Sequence, residues 1–137
     1  MALSQSLKFS PVIVEKYVTL GTVSGTTVGP AIPAGCVVVS AGIEFVTAAG
    51  SAGTSATVAV GNGVTANLAA VDMQGKAAGT ILGGVVPVFN GTADTIDAVM
   101  AVTGAGLVAA DARIWAVVVN VNECTKEATE VARDQLA

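Results

Sequence analysis

The fold class is decided by residues 36–47, which read CVVVSAGIEFVT. A period of two residues between apolar and other side chains is typical of a strand with one buried face. The alternation predicts that five apolar side chains share the core face, namely Val37, Val39, Ala41, Ile43 and Phe45. The intervening residues are expected on a partly exposed face, namely Val38, Ser40, Gly42 and Glu44.

Similar runs of β-forming residues recur along the chain, separated by Gly, Pro, Asn and Ser. They predict strands at residues 12–20, 55–60, 95–102 and 112–121, and a broken strand at 22–28. Pro87 removes a backbone donor, so residues 81–89 are expected to form an edge or bulged strand. Residues 67–71 are either a helical turn or an edge segment. The last strand is apolar on both faces, which favours a central position in a sheet covered on both sides.

These strands predict one all-β domain, a single β-sandwich or jelly-roll-like domain of about seven or eight antiparallel strands. The uneven distribution of charged residues then divides the chain into segments. Residues 17–122 hold seven charged side chains, whereas the last 15 residues hold six. We therefore predict an N-terminal extended arm at residues 1–11, the β-sandwich at residues 12–122 and a C-terminal α-helix at residues 123–137.

The predicted helix is amphipathic. Asn122 is suited to cap it, and an apolar stripe consists of Ala128, Val131, Ala132 and Leu136. Such a stripe needs a partner. Either the helix folds back on its own sandwich, or it docks on another subunit or bundles with copies of itself.

The composition excludes several classes of function. The chain has 137 residues, no histidine and a net charge of -4, with 53% hydrophobic and 12% charged residues. Without imidazole there is no Ser-His or Cys-His pair and no His-containing zinc site. Six scattered cations argue against nucleic-acid binding. We expect no secretory signal and no membrane span, and in a reducing cytosol Cys36 and Cys124 are expected to be free thiols.

No group of residues has the pattern of a catalytic, cofactor-binding or metal site. Asp94 and Asp97 flank a turn, where Asp is common for local hydrogen bonding. Together with Asp72 and Asp111 they lack the alternation of a calcium loop. Trp115 lies among valines and is expected in the core or a subunit interface rather than on a sugar-binding surface. The sequence therefore predicts a protein that is not an enzyme.

Three segments carry a resemblance to a known family. They read IPAGCVVVSAGIEFVT at residues 32–47, SATVAVGN at 55–62 and FNGTADTI at 89–96. This part of the chain, roughly residues 32–102, resembles small virion structural proteins of tailed bacteriophages. The resemblance implies a capsid decoration (cement) protein, often trimeric, bound outside the major capsid shell after assembly in the host cytoplasm. The family has no catalytic motif to carry over, and the C-terminal helix is not part of the resemblance.

The expected partners are the major capsid protein and further copies of the chain, with a trimer favoured, and neither nucleic acid nor membrane. At least one end of the chain is expected to order on a neighbouring subunit. The candidate interface residues are Leu7 and Phe9 in the arm, and Val131 and Leu136 in the helix.

The alternative is a head-fibre or tail-associated module that binds a receptor or carbohydrate. It would need aromatic or polar clusters on loops, whereas these loops hold mainly Gly, Ala, Ser and Thr. A major shell protein is a further alternative, for which 137 residues are few.

Overall fold

The computed structural model describes residues 11–50, 55–104 and 110–120, and these residues form eleven strands and no helix. The strands are β1 (Val12–Leu20), β2 (Gly25–Thr27), β3 (Ala31–Ile32), β4 (Cys36–Phe45), β5 (Ser55–Gly61), β6 (Ala66–Asp72), β7 (Ile81–Gly84), β8 (Val88–Asn90), β9 (Asp94–Thr95), β10 (Asp97–Thr103) and β11 (Ala110–Asn120). The all-β prediction is confirmed. The predicted helix at 123–137 and residues 1–10 of the predicted arm lie outside the described residues.

All strand pairings are antiparallel, and they build two larger sheets and one small one. The five-stranded sheet has the order β1-β11-β4-β7, with β8 also paired to β4. The four-stranded sheet has the order β2-β10-β5-β6, and β3 pairs with β9. No helix within these residues is long and apolar enough to cross a membrane.

One face of each larger sheet contributes to a single hydrophobic core. On β11 the buried residues alternate with half-buried ones, and Ala112, Ile114 and Ala116 are fully buried. On β5 the same alternation buries Val58 and Val60, as the sequence predicts. Two sheets that share one core in this way have the arrangement that a β-sandwich requires.

The predicted faces of β4 are only partly correct, because the strand contains a β-bulge. Val118 pairs with Val38 and Val117 with Ser40, which leaves Val39 as the extra residue. A bulge shifts the alternation by one residue. Cys36 and Val38 therefore face the core together with the later residues Ala41, Ile43 and Phe45, which were predicted correctly. The predicted core positions of Val37 and Val39 were wrong, since Val37 is half-buried and Val39 is 42% exposed.

The structure also tests the predictions for the other strands. β1 has the predicted bounds. Residues 67–71 lie in the edge strand β6, so the helical alternative was wrong. Residues 81–89 form an edge in which β7 and β8 are separated at residues 85–87, around Pro87. β11 is central, between β1 and β4. Its outward side chains are half-buried or exposed, so within the described residues only one face is fully covered.

Candidate functional site

The outer face of the five-stranded sheet, turned away from the core, is unusually apolar. Ile13 pairs with Val117 across β1 and β11, and Val119, Val37 and Phe89 lie in one row across β11, β4 and β8. With Val39 and Trp115 these residues define the outer-face patch: Ile13, Val37, Val39, Phe89, Trp115, Val117 and Val119. Ile13 is 66% and Phe89 is 57% exposed. Contiguous exposed apolar surface on a soluble protein is typical of an interaction site.

Trp115 is the largest side chain of the patch, and its six-membered ring lies against two glycines. A Cβ atom added to Gly42 would lie 2.6 Å from Cζ2 of the ring, and one added to Gly83 would lie 2.9 Å from the same atom. Only residues without a side chain allow this approach, so the two glycines set the position of the ring. Trp115 thus lies on the outer face of the sheet and not in the shared core.

A charged cluster borders the patch. Arg113 on β11 donates from Nε to Glu44 Oε2 on β4 at 2.9 Å, and from Nη1 to Glu15 Oε2 on β1. The hydrogen bonds to Glu15 and then Glu44 raise the pKa of Arg113 further above its ordinary value. Two carboxylates and one guanidinium leave the cluster with one net negative charge. Tyr17, which is opposite Arg113 in the strand register, is 67% exposed.

A buried amide links the two larger sheets. Asn67 on β6 donates from Nδ2 to the carbonyl oxygen of Val86 at 2.7 Å and to that of Val38 at 3.4 Å. These carbonyls belong to the break between β7 and β8 and to the bulged part of β4. Residues 85–87 have no strand partner among the described residues, so the amide of Asn67 supplies a donor to the Val86 carbonyl that the ladder does not supply. We assign it a structural role.

Each carboxylate considered from the sequence accepts a hydrogen bond, two of them from a residue nearby in the sequence and two from a distant one. Asp94 Oδ1 accepts from the Thr95 amide at 2.8 Å, and Asp72 Oδ1 accepts from the Gln74 amide at 3.0 Å. Asp97 Oδ1 accepts from the Gly29 amide at 3.3 Å, and Asp111 Oδ1 accepts from Thr19 Oγ1 at 2.8 Å. Within the described ranges no three His, Cys, Asp or Glu side chains are grouped as a metal site.

The candidate interface residues of the two ends, Leu7, Phe9, Val131 and Leu136, all lie outside the described residues, as does Cys124. The patch itself was not predicted from the sequence. Its signal was present in β11, which is apolar on both faces, but that pattern was interpreted as a strand already covered on both sides.

Comparisons with known proteins give fold similarity alone. No protein-family model matches the sequence, and no curated protein matches it. A chain in the acid-stable capsid structure of Helicobacter pylori bacteriophage KHP30 is similar with a TM-score of 0.50 and 12% identity, over 79% of this chain and 91% of that chain. A chain of the disulfide-linked pili that form Bacillus endospore appendages gives a TM-score of 0.40 and 14% identity, over 81% and 88% of the two chains. The first similarity shows a fold shared over most of both chains.

Proposed function

We propose that the protein is a non-enzymatic virion structural protein, and that it acts as a capsid decoration (cement) protein on the outer surface of the major capsid shell. The observation that carries this proposal is the fold shared with a chain of a phage capsid over 79% of the present chain. The family resemblance of residues 32–102 points to the same class independently of that comparison.

The surface chemistry supports a binding role. Large apolar side chains are exposed on several strands, and the described carboxylates are engaged in hydrogen bonds within the chain or in the Arg113 cluster. A surface of this kind is suited to contact with other proteins, because apolar contact area drives association. It offers no group poised for acid-base or nucleophilic chemistry among the described residues.

The proposed mechanism is bridging. Each copy contacts more than one subunit of the shell, and the copies associate with one another as a trimer. Individually weak contacts then add through multivalency. The N-terminal arm supplies one contact, with Leu7 and Phe9 as anchors, because burial of two such side chains contributes about 3–6 kcal/mol before the cost of ordering the arm.

The test is reconstitution on shells assembled from the major capsid protein of the virus that encodes this chain. Purified protein is added to undecorated shells, and co-sedimentation and the melting temperature of the shells are measured. We expect saturable binding and a higher melting temperature. Leu7→Ser/Phe9→Ser should weaken binding at least tenfold. Val64→Ser is the matched control, since Val64 is 92% exposed in the turn after β5.

Two outcomes would contradict the proposal. If the protein does not sediment with shells at any concentration, it is not a cement protein. If the protein is also missing from purified virions by mass spectrometry, it is not a virion component at all.

A further inference from the structure

The outer-face patch is a surface for which the described residues provide no cover. In antiparallel sheets with one face on a core, the other face is normally polar. Here the outward positions of β11 past Arg113 are Trp115, Val117 and Val119, and all three are only half-buried. The surrounding positions on β1 and β8 are more exposed still, at Ile13 and Phe89. Some further group of atoms is needed to remove this surface from water.

The course of the chain places one such group next to the patch. β11 ends at Asn120, which pairs with Cys36, and the residue before it, Val119, is itself part of the patch. Residues 121–137 follow directly from this point. A tethered segment reaches a neighbouring surface at an effective concentration in the millimolar range or above, so it competes well against a free partner.

The length and pattern of this segment fit the patch. A helix over residues 123–137 would be about 22 Å long at 1.5 Å per residue. The patch extends along β11 from Val119 to Trp115 and ends at Arg113, a distance of about 20 Å for six residues of strand. The stripe of the predicted helix contains two alanines, which permit a close approach to a sheet, and the larger Val131 and Leu136.

An unpaired donor provides independent support. The indole Nε1 of Trp115 is buried, and no hydrogen-bond acceptor for it lies within the described part of the chain. Buried polar groups in native proteins are nearly always paired. An acceptor from a segment outside the described residues would complete the patch.

We infer that residues 123–137 form an amphipathic helix that lies across the outer-face patch of the same chain, with Val131 and Leu136 in contact with the sheet. The helix runs back from the Val119 end of the patch towards the Arg113 cluster. This inference does not depend on the proposed function, and it leaves the N-terminal arm as the end that reaches a neighbouring subunit.

Trp115 makes the inference measurable, because it is the only tryptophan of the chain and belongs to the patch. We propose to measure acrylamide quenching of tryptophan fluorescence in the full-length protein and in Val131→Asp/Leu136→Asp. The quenching constant should rise about two- to threefold in this variant. The matched control is Lys126→Ser/Arg133→Ser, which changes the net charge by the same two units on the polar side of the helix and should leave the constant unchanged. Far-ultraviolet circular dichroism checks that the sheets remain folded.

Three results would overturn the inference. An unchanged quenching constant in Val131→Asp/Leu136→Asp would mean that the helix does not cover Trp115. If the quenching constant of the native sequence rises on dilution, a second copy of the chain and not the helix of the same chain covers Trp115. Restored protection of Val131→Asp/Leu136→Asp by an excess of Trp115→Phe chains would show that the helix acts between copies. Capsid binding enters none of these measurements, so failure here is distinct from failure of the cement role.

Discussion

The ring of Trp115 and the Cα atom of Gly42 are in such close contact that no side chain fits between them. A Cβ atom at Gly42 would lie 2.6 Å from Cζ2 of the ring and 2.1 Å from the carbonyl oxygen of Leu82. The second distance matters more, because that carbonyl belongs to the ladder between β4 and β7 and cannot move without breaking it. Gly42 therefore allows both the close approach of the indole and the pairing of the edge strand.

We predict that Gly42→Ala lowers the free energy of unfolding by about 2–3 kcal/mol through overpacking. Gly83→Ala should cost less, since its Cβ atom would meet only ring atoms, at 2.9 and 3.1 Å, and the ring can tilt. Gly25→Ala is the control, because nothing lies within 4 Å of its Cβ position. Urea unfolding measures all three. Equal stabilities of the Gly42 and Gly25 variants would disprove the close contact.

The charged cluster predicts an asymmetric response to substitution. Arg113→Met leaves the carboxylates of Glu15 and Glu44 without their shared partner, whereas Glu15→Gln leaves the pair between Arg113 and Glu44 intact. The side chains are 27% to 42% exposed, so solvent screening limits the cost of Arg113→Met to about 1 kcal/mol. Glu15→Gln should lower the free energy of unfolding by less than half as much as Arg113→Met.

The origin of this cost can be checked with salt and with a triple variant. Repulsion between the two carboxylates is screened at high ionic strength, so the cost of Arg113→Met should shrink in about 1 M NaCl. Glu15→Gln/Arg113→Met/Glu44→Gln should recover part of the lost stability, since it removes the unpaired charges. A triple variant less stable than Arg113→Met in urea unfolding would show that the cluster acts through packing and not through charge.

The sequence was sufficient where local pattern and tertiary structure agree. β1 has the predicted bounds, because a run rich in β-forming residues ends at Gly21. Pro87 interrupts the edge between β7 and β8 for the predicted reason, the missing amide donor. The alternation of β5 is regular from Ser55 to Val60, where β10 pairs with it without a register shift.

The sequence was insufficient where position depends on a partner strand. The bulge at Val39 arises from the pairing of β4 with β11, and nothing in the run of three valines marks which residue is the extra one. The outer-face patch shows the same limit. Apolar residues on both faces of β11 predict burial on both sides, but the pattern does not say what covers the outer side.

Cys36 provides a prediction on pH. Burial raises the pKa of the Cys36 thiol above its ordinary value, so the folded state favours the neutral thiol more than the unfolded state does. This contribution to stability is present in full below about pH 8.5, the pKa of a thiol in an unfolded chain. It is lost as the pH rises through the pKa that the thiol has in the folded protein. Cys36→Ala should cost about 1 kcal/mol at pH 7 through a small cavity, and the difference from the native sequence should narrow above about pH 9. A difference that stays constant from pH 7 to 10 in urea unfolding would contradict this.

The same thiol is predicted to be reduced in the assembled protein. Cys36 is a free, buried thiol in the structure, and its neutral form reacts slowly with alkylating reagents. The prediction is open to a direct test, because Cys36 pairs with Asn120, only four residues before Cys124 in the sequence. A disulfide between the two would therefore be within reach of the chain. Intact mass spectrometry with and without a reductant should give the same mass, whereas a gain of two hydrogens on reduction would reveal a bridge.

The last prediction concerns the oligomeric state, which we expect to be a trimer. Outside the outer-face patch, three large apolar side chains remain exposed along one edge of the five-stranded sheet: Ile81 at 59%, Val85 at 81% and Val86 at 52%. Within the described residues, β1 is the opposite edge of that sheet and carries Val12 at 57% exposure. Contact between these unlike edges of successive copies is heterologous, and a heterologous contact of suitable rotation closes into a ring.

Light scattering should therefore give a mass of about 40 kDa, three times the chain mass of 13.4 kDa. Val85→Lys/Val86→Lys should shift the mass towards that of the single chain, because two charges on the contact edge oppose its burial. Val64→Lys, on a turn of the other sheet, should leave the trimer intact. A mass of 13.4 kDa for the native sequence over a wide range of concentration would mean that this edge stays free, and bridging of the shell would then have to rely on contacts made by single copies.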